Sequence, residues 1–239
     1  MKAGQALGDD ERTLSARAFA ALRDAILSGA IAPGARLDIQ SLASQLQMSP
    51  MPIREAVRQL DAVGLAEHVP HRGARVADLS VEDMREVYAA RFVLEAWAVS
   101  TAAGRFADVD AERAAASLSR TVRAQRDNDH AASWKADADF HFALYEAAGS
   151  AWLLRLIGPL WSTSERYRRL SLSPERDFSE RYQEHMSILE ACISRDGEVA
   201  ARRLGTHLAR SANRLAAALG GSALFAEDDV EPLPLPRAL

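Results

Sequence analysis

The sequence predicts a mainly α-helical protein, in which an N-terminal winged helix-turn-helix precedes an all-α bundle of about six helices. Three observations lead to this fold class. Alanine, the strongest helix former, accounts for 47 of the 239 residues. Apolar residues recur at helical spacing along most of the chain, with few breaks after Leu79. Two short β-type segments occur, and both lie before Leu79.

The N-terminal elements follow in the order helix, helix, helix, strand, strand. A helix is expected from Thr13 to Gly29, and the next segment, IAPGARLD, predicts a turn. IQSLASQLQ predicts a short second helix. The third helix, MPIREAVRQLDAVG, has Ser49 as its expected N-cap and Gly64 at its end. LAEHV and GARVADL predict two strands around the turn PHRG.

Six long amphipathic helices are expected after the wing. They lie near residues 80–104, 109–129, 131–148, 151–170, 178–195 and 197–219. The domains are therefore a winged helix-turn-helix at 12–78, an all-α domain at 79–222 and a tail at 223–239, which we expect to be flexible. On the fourth of these helices, Arg166, Arg168 and Arg169 are expected on a solvated face with Glu165, although one of them could reach the ligand cavity.

Charge and hydropathy limit the possible partners. The net charge of −4 and the pI of about 5.9 argue against nucleic acid at first. Residues 12–76, however, hold eight Arg against five acidic residues, a net charge of +3, so DNA binding by this segment is not excluded. No apolar run has the length of a membrane span, and a single Cys192 excludes an intrachain disulfide. We therefore expect a cytoplasmic protein with no membrane partner.

The third helix carries basic residues where a helix-turn-helix meets DNA. Arg54 and Arg58 lie one turn apart, so both guanidinium groups could reach a phosphate or a guanine edge. Ser49 and the first backbone amides of this helix could bind a phosphate. The alternative is that the two arginines pair with Glu55, Asp61 or solvent, as most surface charges do. The order of the elements favours DNA.

The predicted wing tip, His71-Arg72-Gly73, places a basic side chain on a turn that could enter a minor groove. The segment APGARLDIQSLASQLQMSPMPIREAVRQLDAVGLAEHVPHRGARVADLS has a Pro-Gly turn, a Leu-Ala helix, Ser-x-x-Pro-x-Arg-Glu-Ala, a Gly that ends the third helix and an Arg-Gly wing tip. It resembles the DNA-binding domain of the GntR family of bacterial transcription regulators.

The resemblance to the GntR family implies which residues contact DNA. Those of the first rank are Ser49, Arg54 and Arg72. Those of the second rank are Arg36, Gln40, Met51, Arg58, His71 and Gly73. Pro50 departs from the pattern, since many members carry Arg directly after the Ser. One expected DNA contact is therefore missing, and the operator sequence stays open.

Three histidines lie on three different helices of the all-α domain: His141, His185 and His207. Asp137 precedes His141 by four residues, so the carboxylate and the imidazole share one helical face. An Asp-His-His-His set suits Zn, Ni or a similar divalent transition metal. All three histidines are flanked by apolar residues, which predicts inward faces. The alternative is that each is a hydrogen-bonded core or surface residue without a metal.

The segments DADFH and EHMSILEACISRDGEVAARRLGTHL resemble the signatures of the FCD domain, the effector domain of the FadR subfamily of GntR regulators, over residues 79–219. The expected number of helices, six rather than seven, resembles that of the VanR-like group. The resemblance implies a metal bound by Asp137, His141, His185 and His207. Arg91 and Glu95 match a further Arg-x-x-x-Glu pattern of the family. Arg91 would bind an effector carboxylate, or else pair with Glu95 inside its helix.

These features predict a DNA-binding transcription regulator. A homodimer would place two winged modules on double-stranded operator DNA, and a small organic acid at the metal would change the affinity for DNA, as in a repressor. The main alternative is an enzyme, a metal-dependent hydrolase or lyase using the same Asp and His residues. The sequence has no HExxH motif, no Gly-rich phosphate loop and no evident general base beside these ligands. A third interpretation is an architectural DNA-binding protein whose helical domain only dimerises.

Overall fold

The structure, a computed structural model, describes residues 3–70, 72–171 and 178–226. The chain forms two compact units. The first comprises Met1–Ser80 with Trp161–Leu170, and the second comprises Val81–Leu160 with Ser171–Leu239. None of the helices in the described residues combines the length and the hydropathy of a membrane span.

The first unit is a winged helix-turn-helix, as predicted. Its elements are α1 (Ala3–Leu27), β1 (Arg36–Leu37), α2 (Ile39–Leu46), α3 (Pro50–Ala62), β2 (Ala66–Val69) and β3 (Gly73–Val76). The three strands form an antiparallel sheet in the order β1-β3-β2, with Leu37 opposite Ala74 and Ala66 opposite Val76. Asp38 starts α2 because its side chain accepts a hydrogen bond from the Ser41 amide at 2.8 Å.

Two details of this unit differ from the prediction. Helix α1 begins at Ala3 rather than at Thr13. Strand β1 lies in the segment predicted as a turn, because two residues are too few to produce a period-2 pattern in the sequence. Gly64 does follow the end of α3, and its φ of +72° explains why a glycine stands there.

The core of the first unit lies between the three helices and the sheet. Helices α1 and α3 pack against each other and contribute most of its aliphatic side chains, and α2, the strands and Leu65 contribute the rest. Its fully or almost fully buried members include Leu22, Ile26, Ile53, Leu60, Leu65 and Val76. This core fixes the direction in which the outer face of α3 points.

The C-terminal half of a seventh helix, α7 (Ala151–Ser171), also belongs to the first unit. Arg166 is completely buried, and its guanidinium donates hydrogen bonds to the carbonyl oxygens of Ala77 at 2.7 Å and Asp78 at 3.1 Å. The Thr163 hydroxyl donates to the carbonyl oxygen of Val63, at the end of α3, at 2.9 Å. The expected solvated face was therefore wrong for Arg166 and for the similarly buried Arg168.

Replacing Arg166 by alanine is expected to lower the free energy of unfolding of the first unit by about 2–4 kcal/mol, because two buried carbonyl groups lose a charged donor. Urea denaturation followed by circular dichroism measures this loss. Arg17→Ala, at an exposed position of α1 in the same unit, should stay within about 0.5 kcal/mol of the wild type. Equal stabilities of the two variants would contradict the expectation.

The second unit is all-α, and the six helices predicted for this region are present. They are α4 (Val81–Ala103), α5 (Asp108–Arg126), α6 (His130–Glu146), the first half of α7, α8 (Phe178–Ile193) and α9 (Gly197–Ala218). Helix α4 packs against α9, and α5 packs against α6. Asp129 and Asp196 start α6 and α9, since each carboxylate accepts a backbone amide hydrogen bond in the first turn.

The segment after α9 is held on the helix for part of its length. The Asn213 side-chain oxygen accepts hydrogen bonds from the amides of Leu224 and Phe225, and its nitrogen donates to the Phe225 carbonyl oxygen. The Phe225 ring lies 4.9 Å from the Phe92 ring, centroid to centroid. The tail expected to be flexible from residue 223 therefore starts with an anchored segment, and residues 227–239 lie outside the described residues.

Cys192 is fully buried in α8, and burial raises the pKa of its thiol to about 12. We expect the native protein to resist Ellman's reagent at pH 8, because the thiolate is the reacting form and is almost absent. One thiol per chain should react after denaturation in guanidinium chloride. Stoichiometric reaction of the native protein on the same timescale would show that Cys192 is accessible.

Candidate metal centre and DNA-binding surface

Three histidine side chains converge inside the second unit. His141 of α6, His185 of α8 and His207 of α9 are all buried, and one ring nitrogen of each lies within 4.8 Å of those of the other two. The Nε2 atoms of His141 and His185 are 3.1 Å apart. The structure thus brings together the three histidines that the sequence placed on three separate helices.

Asp137, the fourth predicted ligand, lies at the edge of this cluster. It is buried one turn before His141 on α6, and its Oδ1 atom is 3.8 Å from His185 Nε2. The carboxylate is therefore beside the histidine nitrogens, although it is not one of the donors that lie within 4.8 Å of one another.

The Nδ1 atoms of two of the histidines have partners that the sequence analysis did not assign. His141 Nδ1 is 3.2 Å from the hydroxyl oxygen of Tyr145, and His207 Nδ1 is 2.6 Å from Oε2 of Glu184. Two signals in the sequence could have indicated these residues. Tyr145 stands one turn after His141, and Glu184 directly precedes His185 in the EHMSILEA segment.

Arg91 forms the internal ion pair that was one of its two expected roles. Its Nε and Nη2 atoms donate to the two carboxylate oxygens of Glu95, at 2.6 and 3.2 Å, and both side chains are buried. Burial alone would lower the pKa of Arg91, but the charge of Glu95 outweighs it and holds that pKa above its ordinary value. The Tyr145 hydroxyl donates to Glu95 at 2.6 Å, so a continuous buried chain of contacts joins Arg91 to His141.

The electrostatics of the cluster favour a neutral imidazole at His185. Burial, and next the charge of His207, lower the pKa of His185 to about 3, although Asp137 acts in the opposite direction. His185 therefore keeps a lone pair for coordination at neutral pH. Burial alone would raise the pKa of Glu184, but the hydrogen bond from His207 and that residue's charge outweigh burial and lower it to about 2.

The donor set fits a divalent transition metal. Imidazole nitrogens bound to one zinc at about 2.1 Å lie about 3–4 Å from one another, and the cluster has its nitrogens at 3.1 Å and up to 4.8 Å. Three imidazoles with a neighbouring carboxylate are ligands that Zn and Ni both accept.

The outer face of α3 carries the predicted DNA-contacting residues in the first unit. Ser49 is the N-cap of α3, and its side chain makes no capping hydrogen bond. Met51 and Arg54 are exposed, and among the described residues Arg54 has no ion-pair partner. Arg58 is exposed but pairs with Glu55 at 2.7 Å, so the alternative of a surface ion pair holds for this arginine.

The remaining candidate DNA-contacting residues lie on the wing, which is the hairpin of β2 and β3, and on neighbouring elements. Arg72 is exposed in the β2–β3 turn, and Gly73 begins β3 with φ at +85°, a conformation that disfavours other residues. Arg36 of β1 and Gln40 of α2 are exposed. His71 lies outside the described residues.

A groove of about 440 Å³ separates α3 from the wing. Four of the predicted DNA-contacting residues line it: Met51, Arg54, Arg58 and Gly73. Two residues that were not among the predicted DNA contacts, His68 and Asp61, also line it. Ser49, Arg36, Gln40 and Arg72 are not part of its described lining.

Two family matches divide the chain in the same way as its elements do. Residues 14–76 match the gntR family of bacterial regulatory proteins, and residues 86–210 match the FCD domain. The chain belongs to the gntR family. As expected from its sequence, this gntR-family regulator carries an FCD domain after its winged helix-turn-helix.

The relatives of this gntR-family protein are transcription regulators, and the similarity extends over most of each relative's length. It is 34% identical to the uncharacterized HTH-type transcriptional regulator BphR of Paraburkholderia xenovorans, over 84% of each chain. It is 29% identical to the HTH-type transcriptional repressor GlaR of Escherichia coli, over 78% of this chain and 89% of GlaR. The protein is therefore a transcription regulator and not an enzyme, and the hydrolase or lyase alternative was wrong.

Solved structures agree with this assignment. Superposition on the E. coli protein McbR/YncC gives a TM-score of 0.73 at 25% sequence identity, and the match covers 84% of this chain and 96% of McbR/YncC. A putative transcriptional regulator GntR from Rhodococcus sp. RHA1 has a TM-score of 0.70 and 27% identity, covering 86% and 97%.

Proposed function

We propose that this gntR-family regulator is a repressor whose affinity for operator DNA is controlled by a small organic acid bound at a metal site in the FCD domain. The observation that carries the proposal is the buried cluster of His141, His185 and His207. Three imidazoles from three helices, with one ring nitrogen of each within 4.8 Å of the others, form a metal-ligand arrangement that a domain used only for dimerisation does not need. The architectural alternative is therefore less well supported.

The proposed ligands are His141, His185 and His207, with Asp137 as the fourth. Zn or Ni is the metal that best suits this donor set. When bound in octahedral geometry, an ion held by four protein ligands would keep open coordination positions for carboxylate oxygens. The helices α6, α8 and α9 each provide at least one ligand, so occupation of the site ties three helices together.

For Arg91, we propose a role in matching the charge of the organic acid. Its Nε–Nη2 edge is engaged with Glu95, so an incoming carboxylate would compete with Glu95 for this guanidinium. This competition changes the charge balance along the contacts from Arg91 through Glu95 and Tyr145 to His141. The acid and the metal ligands would thereby be linked through this domain's own side chains.

At the DNA, we propose that Ser49, Arg54 and Arg72 make the principal contacts. Weaker or supporting contacts would come from Arg36, Gln40, Met51, Arg58, His71 and Gly73. The groove between α3 and the wing carries Arg54 on its wall, and its concave shape suits a phosphate backbone. We further propose a homodimer of the FadR subfamily, VanR-like group, reading two half-sites related by a two-fold axis.

Metal analysis followed by an acid screen tests the proposal. The purified protein should contain close to one Zn or Ni ion per chain by inductively coupled plasma mass spectrometry. Carboxylic acids should then be screened by thermal shift on the metal-loaded and the metal-stripped protein. The expected result is an acid that stabilises only the loaded protein and that changes its affinity for DNA taken from upstream of its own gene.

Two outcomes would overturn the proposal. One is a protein that neither contains nor takes up Zn or Ni. The other is metal uptake with no acid that changes DNA affinity, which would leave the site as a structural metal centre. Chain mass by sedimentation or light scattering, with and without operator DNA, tests the homodimer separately.

A further inference from the structure

Two histidines of the cluster each have a hydrogen-bond acceptor at Nδ1, provided by a residue on a helix of the same unit. On α6, Tyr145 lies one turn beyond His141, with the hydroxyl oxygen 3.2 Å from Nδ1. Between α8 and α9, Glu184 Oε2 lies 2.6 Å from His207 Nδ1. All four side chains are buried, so these contacts are not exchanged for water.

The hydrogen-bonding directions determine which nitrogen carries the proton. The Tyr145 hydroxyl donates its only hydrogen to Glu95 at 2.6 Å, so toward His141 its oxygen can only accept. An ionised carboxylate also can only accept, so Glu184 requires a hydrogen on His207 Nδ1. In both rings the Nδ1–H tautomer leaves the Nε2 lone pair on the opposite side of the ring.

The contact between His141 and His185 is consistent with this assignment. Their Nε2 atoms are 3.1 Å apart, a hydrogen-bonding distance that needs one donor and one acceptor. If His141 carries its hydrogen on Nδ1, its Nε2 is the acceptor and His185 is the donor. The three imidazoles thus form one ordered set rather than three independent side chains.

We propose that Glu184 and Tyr145 are positioning residues that fix the Nδ1–H tautomers of His207 and His141 and so direct both Nε2 lone pairs at one divalent cation. This inference rests on the metal site proposed above. Partners of this kind orient a metal-bound histidine and raise its basicity, and their loss typically weakens metal binding by about 10- to 100-fold.

The two positioning residues differ in charge and should differ in effect. Glu184 is an anion, and it is itself held by Arg210, whose Nη1 lies 3.2 Å from its Oε1, with Arg214 at 3.9 Å. Tyr145 is neutral, and its contact with histidine is longer, 3.2 Å against 2.6 Å. Because charge-assisted hydrogen bonds are shorter and stronger than neutral ones, Glu184 should contribute more to metal affinity.

The test compares Zn²⁺ affinity in four variants of the full-length chain, measured by competition with a chromophoric chelator. Glu184→Ala should weaken binding by about 10- to 100-fold. Glu184→Gln should recover part of this loss, since its amide oxygen still accepts from Nδ1. Tyr145→Phe should lose less than Glu184→Ala. Glu190→Ala, an exposed position on the same helix, should bind as the wild type does.

A second readout follows the tautomers directly in the metal-free protein. Long-range ¹H–¹⁵N correlation spectra of ¹⁵N-histidine-labelled wild type should show His141 and His207 with the hydrogen on Nδ1. In Glu184→Ala the His207 signals should move toward the other tautomer while those of His141 stay. A role in stability alone would not change the tautomer of one ring selectively.

The outcomes separate this inference from the proposed function. A wild type that binds no Zn²⁺ would contradict the proposed metal site, and with it the cation-directing role of Glu184 and Tyr145. A wild type that binds Zn²⁺ while Glu184→Ala and Tyr145→Phe bind equally well overturns only the positioning role. An Nε2–H tautomer of His207 in the wild type overturns it as well. If Glu184→Ala does not fold, the conservative Glu184→Gln carries the same comparison.

Discussion

Replacing His185 or His207 by alanine is expected to lower the affinity of the protein for Zn²⁺ by about 100-fold or more. Each substitution removes one nitrogen from a cluster whose donors lie within 4.8 Å of one another. Loss of a direct ligand should exceed the about 10- to 100-fold that follows from loss of a supporting contact. Isothermal titration or chelator competition on the stripped variants measures the change.

His130→Ala is the matched control, because His130 is a histidine of the same unit but lies exposed at the start of α6. It should bind Zn²⁺ as the wild type does. The organic acid that stabilises the loaded wild type should have no effect on His185→Ala or His207→Ala. Unchanged metal uptake by both variants would refute the proposed site, whatever the acid screen gives.

Replacing Arg54 by alanine is expected to weaken operator binding by about 1–3 kcal/mol, which is about 5- to 150-fold. Arg54 is exposed on α3, lines the groove beside the wing and has no ion-pair partner among the described residues. Its guanidinium therefore gives up no internal contact when it meets a guanine or a phosphate. Fluorescence anisotropy at a fixed salt concentration measures the affinity.

Two further variants make the Arg54 result specific. Arg58→Ala should lose less affinity, because Arg58 must first leave its ion pair with Glu55. Arg23→Ala, on α1 of the same unit, should bind as the wild type does, since Arg23 pairs with Asp24 and does not line the groove beside α3. Wild-type affinity in Arg54→Ala would mean that another element reads the DNA.

Much of the fold could be predicted because its signals are local. Helix spacing and Gly or Asp at the ends of helices located the six helices of the second unit, and Gly64 located the end of α3. The metal-ligand candidates could also be found, because His141, His185 and His207 each stand among apolar residues of a helix. That pattern predicts an inward face, although it does not say which inward faces meet.

The features that could not be predicted depend on contacts between segments far apart in the chain. The position of Glu184 beside His185 marks it as a candidate, but spacing could not pair it with His207, which is 23 residues away. Spacing also could not pair Arg166 with Ala77, which is 89 residues away. An arginine in a charged stretch of helix is usually solvated, so the complete burial of Arg166 had no signal of its own.

The discontinuity of the first unit has a consequence for engineering new regulators. Residues 161–170 belong to it, and Thr163 and Arg166 supply hydrogen bonds to Val63, Ala77 and Asp78. In a chimaera that exchanges only residues 1–80 for those of another family member, Thr163 and Arg166 keep their acceptors only if the new backbone places its carbonyl oxygens where Val63, Ala77 and Asp78 place theirs. The module to transfer therefore consists of two segments, and the winged helix-turn-helix should be grafted together with the second half of α7.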